Sequence, residues 1–318
     1  MTAALTPPPT PEVEPTSRRL ALRATGLLRT FNEAGVVEAA DVHVATRLGE
    51  LGQEADQTVL LAVALAVRAA RAGAVCVDLD VVDATVTEAE PDVVGSLPWP
   101  EPRAWRTAVE SSALAHLGVL RLDGRWLYLD RHWREERQVC DDLLRRLAQD
   151  RSDLERGPAT DDDLLASGAD RLFPPGWDEQ RTAALAAARR WTTVLTGGPG
   201  TGKTTTVARL LALVAEQHEA HHGRAPRIAL AAPTGKAATR LQESVAREAD
   251  QLPGEADRSR VSGLTATTVH RLLGWRPDSG TRFRHRRDNP VPYDVVVVDE
   301  VSMVSLVQMA RLLEALRD

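Results

Sequence analysis

The chain has 318 residues, 43% hydrophobic and 26% charged, with a formal net charge of −6. That is ordinary globular composition, long enough to bury a substantial core and to form two domains. The acidic balance excludes a uniformly basic nucleic-acid coat. Only Cys76 and Cys140 are present, and they match no metal-ligand spacing, so two reduced structural thiols are expected.

Residues 1–18 carry five prolines and few apolar side chains, the composition of a disordered tail. They lack a basic segment followed by an apolar one and do not read as a secretory signal. Residues 19–150 are mostly helical in pattern. Leu48, Leu51 and the run Val59–Val67 suit buried helices. That run is the longest apolar stretch, too short for a bilayer and closed by Arg68. A soluble cytoplasmic protein with no membrane partner is therefore expected. Trp126, Tyr128 and Leu129 follow the turn pair Asp123-Gly124 and suit a hairpin strand. His116 and His132 read as surface or core histidines rather than ligands.

An acidic triplet, Asp161 to Asp163, and Gly157-Pro158 mark a linker over residues 151–170. Residues 171–318 then alternate strand and helix patterns. The apolar runs Thr192–Thr196, Ile228–Ala232 and Val295–Val298 read as strands of a parallel sheet buried on both faces. Helices are expected at Gly202–Glu219, Gly235–Ala249 and Val269–Leu273. The fold class is α/β: a mainly helical first domain and a phosphate-loop nucleotide-binding domain with a parallel sheet. There are no internal repeats.

The run Gly197-Gly198-Pro199-Gly200-Thr201-Gly202-Lys203-Thr204, followed by Thr205, fits the phosphate-loop spacing between a strand and a helix. Glycines let consecutive backbone N–H groups approach an anion, and the following helix start is electropositive. Lys203 would reach the β- and γ-phosphates of ATP, and the Thr204 hydroxyl would ligate Mg²⁺. Asp299 and Glu300 end an all-valine strand, a rigid delivery of carboxylates to a sheet edge. Asp299 would hold Mg²⁺, and Glu300 would polarise the attacking water. Gln180 could pair with adenine or simply face solvent on a helix.

Thr234 and Lys236 stand at a second strand-loop-helix junction, and Thr267 to Arg271, including His270, at a third. Each could grip nucleic-acid phosphate or be plain surface. Residues Arg258 to Arg287 hold eight arginines and one acid, Asp278, which is either a phosphate-binding patch or a solvated loop. His218 and His222 have the i,i+4 spacing of a metal pair but lack a third ligand, so a solvated helix end is the better reading.

In order, GGPGTGKTTT, APTGKAATRLQES, TATTVHRLLG and VVVVDEVSM resemble motifs I, Ia, Ib and II of superfamily 1 DNA helicases. Their wording is closest to the RecD family, and DVHVATRLGEL, LLAVALAVRAARAGAVCVDL and RWLYLDRHWREE are similar to that family's N-terminal domain. The resemblance implies a RecA-like motor domain, ATP and Mg²⁺, and a 5′-to-3′ single-stranded DNA motor acting on DNA ends in double-strand-break repair and recombination. It implies partners RecB and RecC, with the N-terminal domain docking on RecC. It makes Gln180 the adenine reader and Thr234, Lys236 and His270 DNA contacts. No acid and lysine cluster reads as a nuclease site.

The family pattern continues with a Gly-Asp…Gln motif and a second motor domain, whereas this sequence stops at Asp318. As given, the chain is expected to be a truncated motor that binds ATP, hydrolyses it slowly and does not unwind DNA alone. Two rivals stay open: a non-catalytic ATP-binding interaction protein, and another phosphate-loop ATPase or kinase. The second is disfavoured by Asp299-Glu300 and by Thr234–Lys236.

Overall fold

The computed structural model describes residues 19–86, 91–152, 161–198, 200–275 and 283–317. The expected tail, Gly157-Pro158, Pro199, Arg276, Asp278 and Arg282 lie outside the described residues. The chain divides into two compact units, residues 1–135 and 136–318.

In the first unit the helices are α1 (Gly26–Glu33), α2 (Ala39–Gly52), α3 (Gln57–Arg71), α4 (Pro91–Ser96), α5 (Pro102–Ser111) and α6 (Ala113–His116). Strands β1 (Cys76–Asp78), β2 (Leu120–Asp123) and β3 (Trp126–Leu129) form an antiparallel sheet in the order β1-β3-β2. Helix α3 is its centre: Val59 through Ala66 are all buried. An all-round apolar helix has to be enclosed, and here α1, α2, α5 and the sheet surround it. Asp56 starts it by accepting the Thr58 N–H, and the Trp105 indole N–H donates to the Thr58 carbonyl at 2.8 Å. The hairpin forms as expected, with Asp123 opposite Trp126 and Gly124 in the left-handed region. Leu51 does not bury as expected and is 65% exposed. The buried stripe of α2 runs Val42, Ala45, Gly49, and Leu51 falls off that helical spacing.

Helix α7 (Asp130–Ser152) runs through the division at Glu135. The structural break thus lies inside a helix rather than at the expected 151–170 linker. The acidic triplet of that linker instead starts helix α8 (Asp162–Leu172). Asp161 accepts the Asp163 and Leu164 N–H groups, and acids in a first turn suit the helix dipole. Leu165, Ala169 and Leu172 of α8 are buried in the core of the second unit.

The second unit continues with α9 (Asp178–Ala188), α10 (Lys203–His222), β4 (Ile228–Ala232), α11 (Gly235–Asp250), α12 (Glu255–Val261), β5 (Ala266–Thr268), α13 (Val269–Leu272), β6 (Val295–Val298) and α14 (Leu306–Ala315). The strands are parallel in the order β5-β4-β6. Their side chains alternate between two cores. Leu230, Val295 and Val297 join the core of α8 to α12, while Ala229, Ala231, Val296 and Val298 join that of α13 and α14. Strand β4 is largely buried, but β6 is only half-buried. The expected strand at Thr192–Thr196 is not formed. That segment has no ladder partner among the described residues, and Val194 is 79% exposed. An apolar run becomes a strand only where a neighbour supplies its hydrogen bonds.

Two charge clusters hold this unit. Arg171 of α8 makes a bidentate pair with buried Asp257 of α12 and also reaches Glu216 of α10. Arg260 joins the same Asp257 and Glu216 and adds Glu219. At the amino end of the sheet, Asp294 accepts from the Arg227 backbone N–H and from the guanidinium groups of Arg224 and Arg227. The pairing sets β6 beside β4 with Val295 opposite Ile228. The hydrogen bonds from Arg224 and Arg227 hold the Asp294 carboxyl well below the usual carboxylate range.

A depressed folded pKa gives stability that is present above the unfolded value, about 3.9, and is lost as pH falls below it. Asp294→Asn should therefore lower the thermal midpoint at pH 7. The gap to the wild type should shrink steadily between about pH 4 and pH 2.5. Thermal unfolding across that range checks both statements, and a gap constant with pH would contradict them.

Candidate nucleotide and nucleic-acid site

The parallel register decides which loops meet. Ala232 lies opposite Thr268, and Ala231 lies opposite Val298. The carboxyl ends of β4 and β5 are therefore level, β6 ends one residue short of them, and the segments that follow leave from one edge. These are Pro233 to Lys236, Val269-His270, and Asp299-Glu300. Such an edge is where open α/β sheets bind ligands.

Each segment is anchored locally. The Asp299 N–H donates to the Ala231 carbonyl at 2.9 Å, carrying the ladder one residue past β6. Asp299 Oδ1 in turn accepts the Glu300 N–H at 2.9 Å. Glu300 has φ 52°, in the left-handed region. A non-glycine residue there costs about 1–2 kcal/mol, and such strain concentrates at functional sites. The Glu300 side chain is exposed and Asp299 is half-buried. Thr234 caps α11 by accepting the Ala237 N–H at 3.2 Å, beside exposed Lys236. Thr268 caps α13 through the Arg271 N–H at 3.2 Å and presents exposed His270. Thr234 is thus committed to a cap through its hydroxyl oxygen, a role its sequence context had not separated from phosphate contact.

The glycine loop precedes α10. Gly200 and Gly202 have φ of +75° and +79°, values that only glycine adopts readily. A Cβ on Gly197 would stand 2.6 Å from Thr201 Oγ1. Gly198 also belongs to the loop, and the Thr201 hydroxyl donates to its carbonyl at 3.0 Å. Lys203 Nζ donates to the Gly197 and Gly198 carbonyls at 2.6 and 2.7 Å. The ammonium is folded onto its own loop, so gripping a phosphate means exchanging two carbonyl acceptors for phosphate oxygens. Thr204 and Thr205 are half-buried in the first turn of α10, and Thr206 donates to the Gly202 carbonyl at 2.9 Å.

Gln180 reaches this loop: its Nε2 donates to the Thr201 carbonyl at 3.4 Å. Its helix is seated by Arg209 of α10, whose guanidinium stacks 4.8 Å from the Trp177 ring and bonds the Leu172 carbonyl. Burial pushes the Arg209 pKa down. The sequence reading missed both Trp177 and Arg209, because a stacking pair thirty-two positions apart leaves no local pattern. It also missed Gln308, although Ser305-x-x-Gln308 is a capping-box signature.

These residues fit ATP with Mg²⁺. A glycine cradle takes the phosphates, and Mg²⁺ sites of this kind need only one or two protein oxygens beside phosphate and water. Thr204 and Asp299 are of that type. Of the six described arginines in the Arg258–Arg287 stretch, three pair with carboxylates elsewhere in the unit. Arg260 pairs with Asp257, Glu216 and Glu219, Arg286 with Asp288, and Arg287 with Asp142. His218, His221 and His222 pack ring on ring at the end of α10. Burial and the charges of His222 and Arg224 lower the His218 pKa.

A glycine-specific loop makes a direct prediction. Gly202→Ala forces a side chain into the left-handed region and should cost about 1 kcal/mol of stability. Urea unfolding at pH 7 reads this, and an unchanged midpoint would show that the loop relaxes freely.

Residues 180–318 match the family described as an AAA domain, and residues 33–128 match the RecBCD enzyme subunit RecD, N-terminal domain. The chain is 56% identical over 299 residues to the RecBCD enzyme subunit RecD of Mycobacterium tuberculosis, covering 93% of this chain and 48% of that protein. It is 57% identical over 294 residues to the subunit of the same name from Mycolicibacterium smegmatis, covering 92% and 49%. The ATP-dependent RecD2 DNA helicase of Deinococcus radiodurans is 38% identical over 194 residues, covering 61% and 22%. The chain spans about half the length of the RecD subunits it matches. Among the described residues no helix is long and apolar enough to cross a membrane. Both units are thus matched, the helical one to a RecD-specific domain, and the chain is similar to RecD subunits over 93% of its length.

Proposed function

We propose that the chain supplies the ATP-binding half of a DNA motor subunit in a RecBCD-type complex. The observation that carries this reading is the shared carboxyl edge of the β5-β4-β6 sheet, where a carboxylate pair and two helix-capped, hydroxyl-bearing loops emerge within one residue of each other in register. The glycine loop and Lys203 bind the triphosphate, and Gln180 meets the adenine. Thr204 and Asp299 hold Mg²⁺, which neutralises phosphate charge when bound. Glu300 takes the proton of the water whose oxygen attacks the γ-phosphorus as the bond to the leaving ADP breaks. Lys236 and His270, on neighbouring loops, contact the backbone of a single strand, with the Thr234 cap shaping the first of these. The finer reading is 5′-to-3′ movement on single-stranded DNA during break repair and recombination, in the cytoplasm, beside RecB and RecC. The match of residues 33–128 to the RecD N-terminal domain supports docking of the first unit on RecC.

A motor of this superfamily closes a cleft between two domains. A transition-state arginine delivered across such a cleft is worth roughly 10³–10⁵ in rate. A polypeptide limited to residues 1–318 is therefore expected to bind ATP and hydrolyse it slowly, and not to separate strands.

The test is equilibrium binding of a non-hydrolysable ATP analogue with Mg²⁺, together with steady-state hydrolysis. Lys203→Ala should weaken binding by at least about tenfold, the loss of roughly 1.4 kcal/mol of charge-assisted contact. Glu300→Gln should leave binding within about twofold and cut hydrolysis by about 10²-fold or more. Equal binding by wild type and Lys203→Ala would overturn the nucleotide site. Robust ATP-driven strand displacement by residues 1–318 alone would overturn the division of labour.

A further inference from the structure

The loop that bears His270 and the loop that bears Asp299 and Glu300 are joined by one side chain. Gln308 Nε2 lies 2.9 Å from His270 Nδ1 and 3.1 Å from His270 Nε2. A neutral imidazole has one accepting nitrogen in either tautomer, and the amide N–H donates to that one. The other end of the same amide is also used. Gln308 Oε1 accepts the Ser305 N–H at 3.3 Å, while Ser305 Oγ accepts the Gln308 N–H at 3.3 Å. The amide is thus oriented by two partners at once.

The path from Gln308 back to the carboxylates is short and structured. Ser305 follows a single turn of 3₁₀ helix, Val301–Met303, which begins directly at the left-handed Glu300. Met303 and Val304 N–H groups bond the Glu300 and Val301 carbonyls at 3.0 Å each. On the other side His270 is seated as well. Its carbonyl accepts the Trp275 N–H at 3.0 Å, and its ring stands 6.0 Å from the Phe283 ring. Two exposed loops, which follow the strands on either side of β4, are therefore cross-linked, and each is hydrogen-bonded on its own side of the link.

We propose that Gln308 is a positioning residue that ties the nucleic-acid-facing loop of His270 to the Asp299-Glu300 loop, so that strand binding and nucleotide binding reinforce each other through it. This rests on the functional reading above. Gln308 touches neither ligand. It acts by holding His270 and the Glu300 turn in one joint arrangement, the discrete two-sided element that coupling between sites requires.

The test measures the affinity of the 318-residue chain for a non-hydrolysable ATP analogue with Mg²⁺, with and without saturating oligo-dT. It is run at pH 8.5, where imidazoles are generally neutral. In the wild type the two affinities should differ by about 5–150-fold, the usual span for linked sites. Gln308→Glu keeps an acceptor for the Ser305 N–H but removes the donor to His270, and should bring the ratio within about twofold of unity. Ser305→Ala removes the cap but keeps the donor, and should leave most of the ratio in place. If Gln308→Glu retains the wild-type ratio, or Ser305→Ala abolishes it to the same extent, Gln308 serves only to start a helix and the proposal falls. If the wild type binds both ligands without coupling, the proposal falls while the ATP and DNA sites stand. If it binds neither, the functional reading fails and takes the proposal with it.

Discussion

The second unit depends on the parallel register of β4 with its two neighbours. Four valines on β6 and three residues on β5 align with β4 so that their last residues fall within one position of each other. Everything chemical then follows from what comes one or two residues later in each loop. A slip of one residue would turn Val295 and Val297 toward the wrong core and carry Asp299 off the edge. The clamp of Asp294 by Arg224 and Arg227 sits at the opposite end of the same pair of strands. It is an electrostatic pin on the register, placed where it cannot interfere with the edge that carries the candidate site.

The glycine loop is organised by a different constraint. Gly200 and Gly202 turn the chain through conformations that are costly for other residues, and the loop then leads straight into the longest helix of the unit apart from α7. Lys203 donates to two carbonyls of this loop, so its ammonium lies against the glycines that precede it. Glu300 stores strain of a comparable kind. Its left-handed backbone turns the chain directly after Asp299 into the 3₁₀ turn, with the Met303 N–H bonded to its carbonyl.

Much of this was legible in the chain itself, for physical reasons that differ by element. Ile228–Ala232 and Val295–Val298 form strands with the expected bounds, because each apolar run is closed by polar or helix-starting residues. Thr234 and Thr268 stand where a cap is needed, so the starts of α11 and α13 were readable too. Thr192–Thr196 has the same local look but no neighbour, and a strand is a property of a pair. The acidic triplet at Asp161 reads equally as linker or as helix start, and only the burial of Leu165 and Leu172 decides it. Arg260, Arg286 and Arg287 look like part of a free positive patch until their carboxylate partners, up to 145 positions away, are known. Gln308 and His270 lie thirty-eight positions apart and meet only because α14 and α13 cover the same face of the sheet.

The helical first unit and the α/β second unit divide the work in the proposed reading: one faces a partner protein, the other binds ATP and a single strand. The central claim is that the glycine loop and the carboxyl edge of the sheet form one ligand-responsive site. Amide hydrogen exchange on the 318-residue chain, with and without a non-hydrolysable ATP analogue and Mg²⁺, tests it most directly. The account predicts slowed exchange both at 200–206 and at 299–304, segments nearly a hundred residues apart in sequence, with little change in β1 to β3. Protection confined to one segment, or spread evenly over the chain, would contradict it.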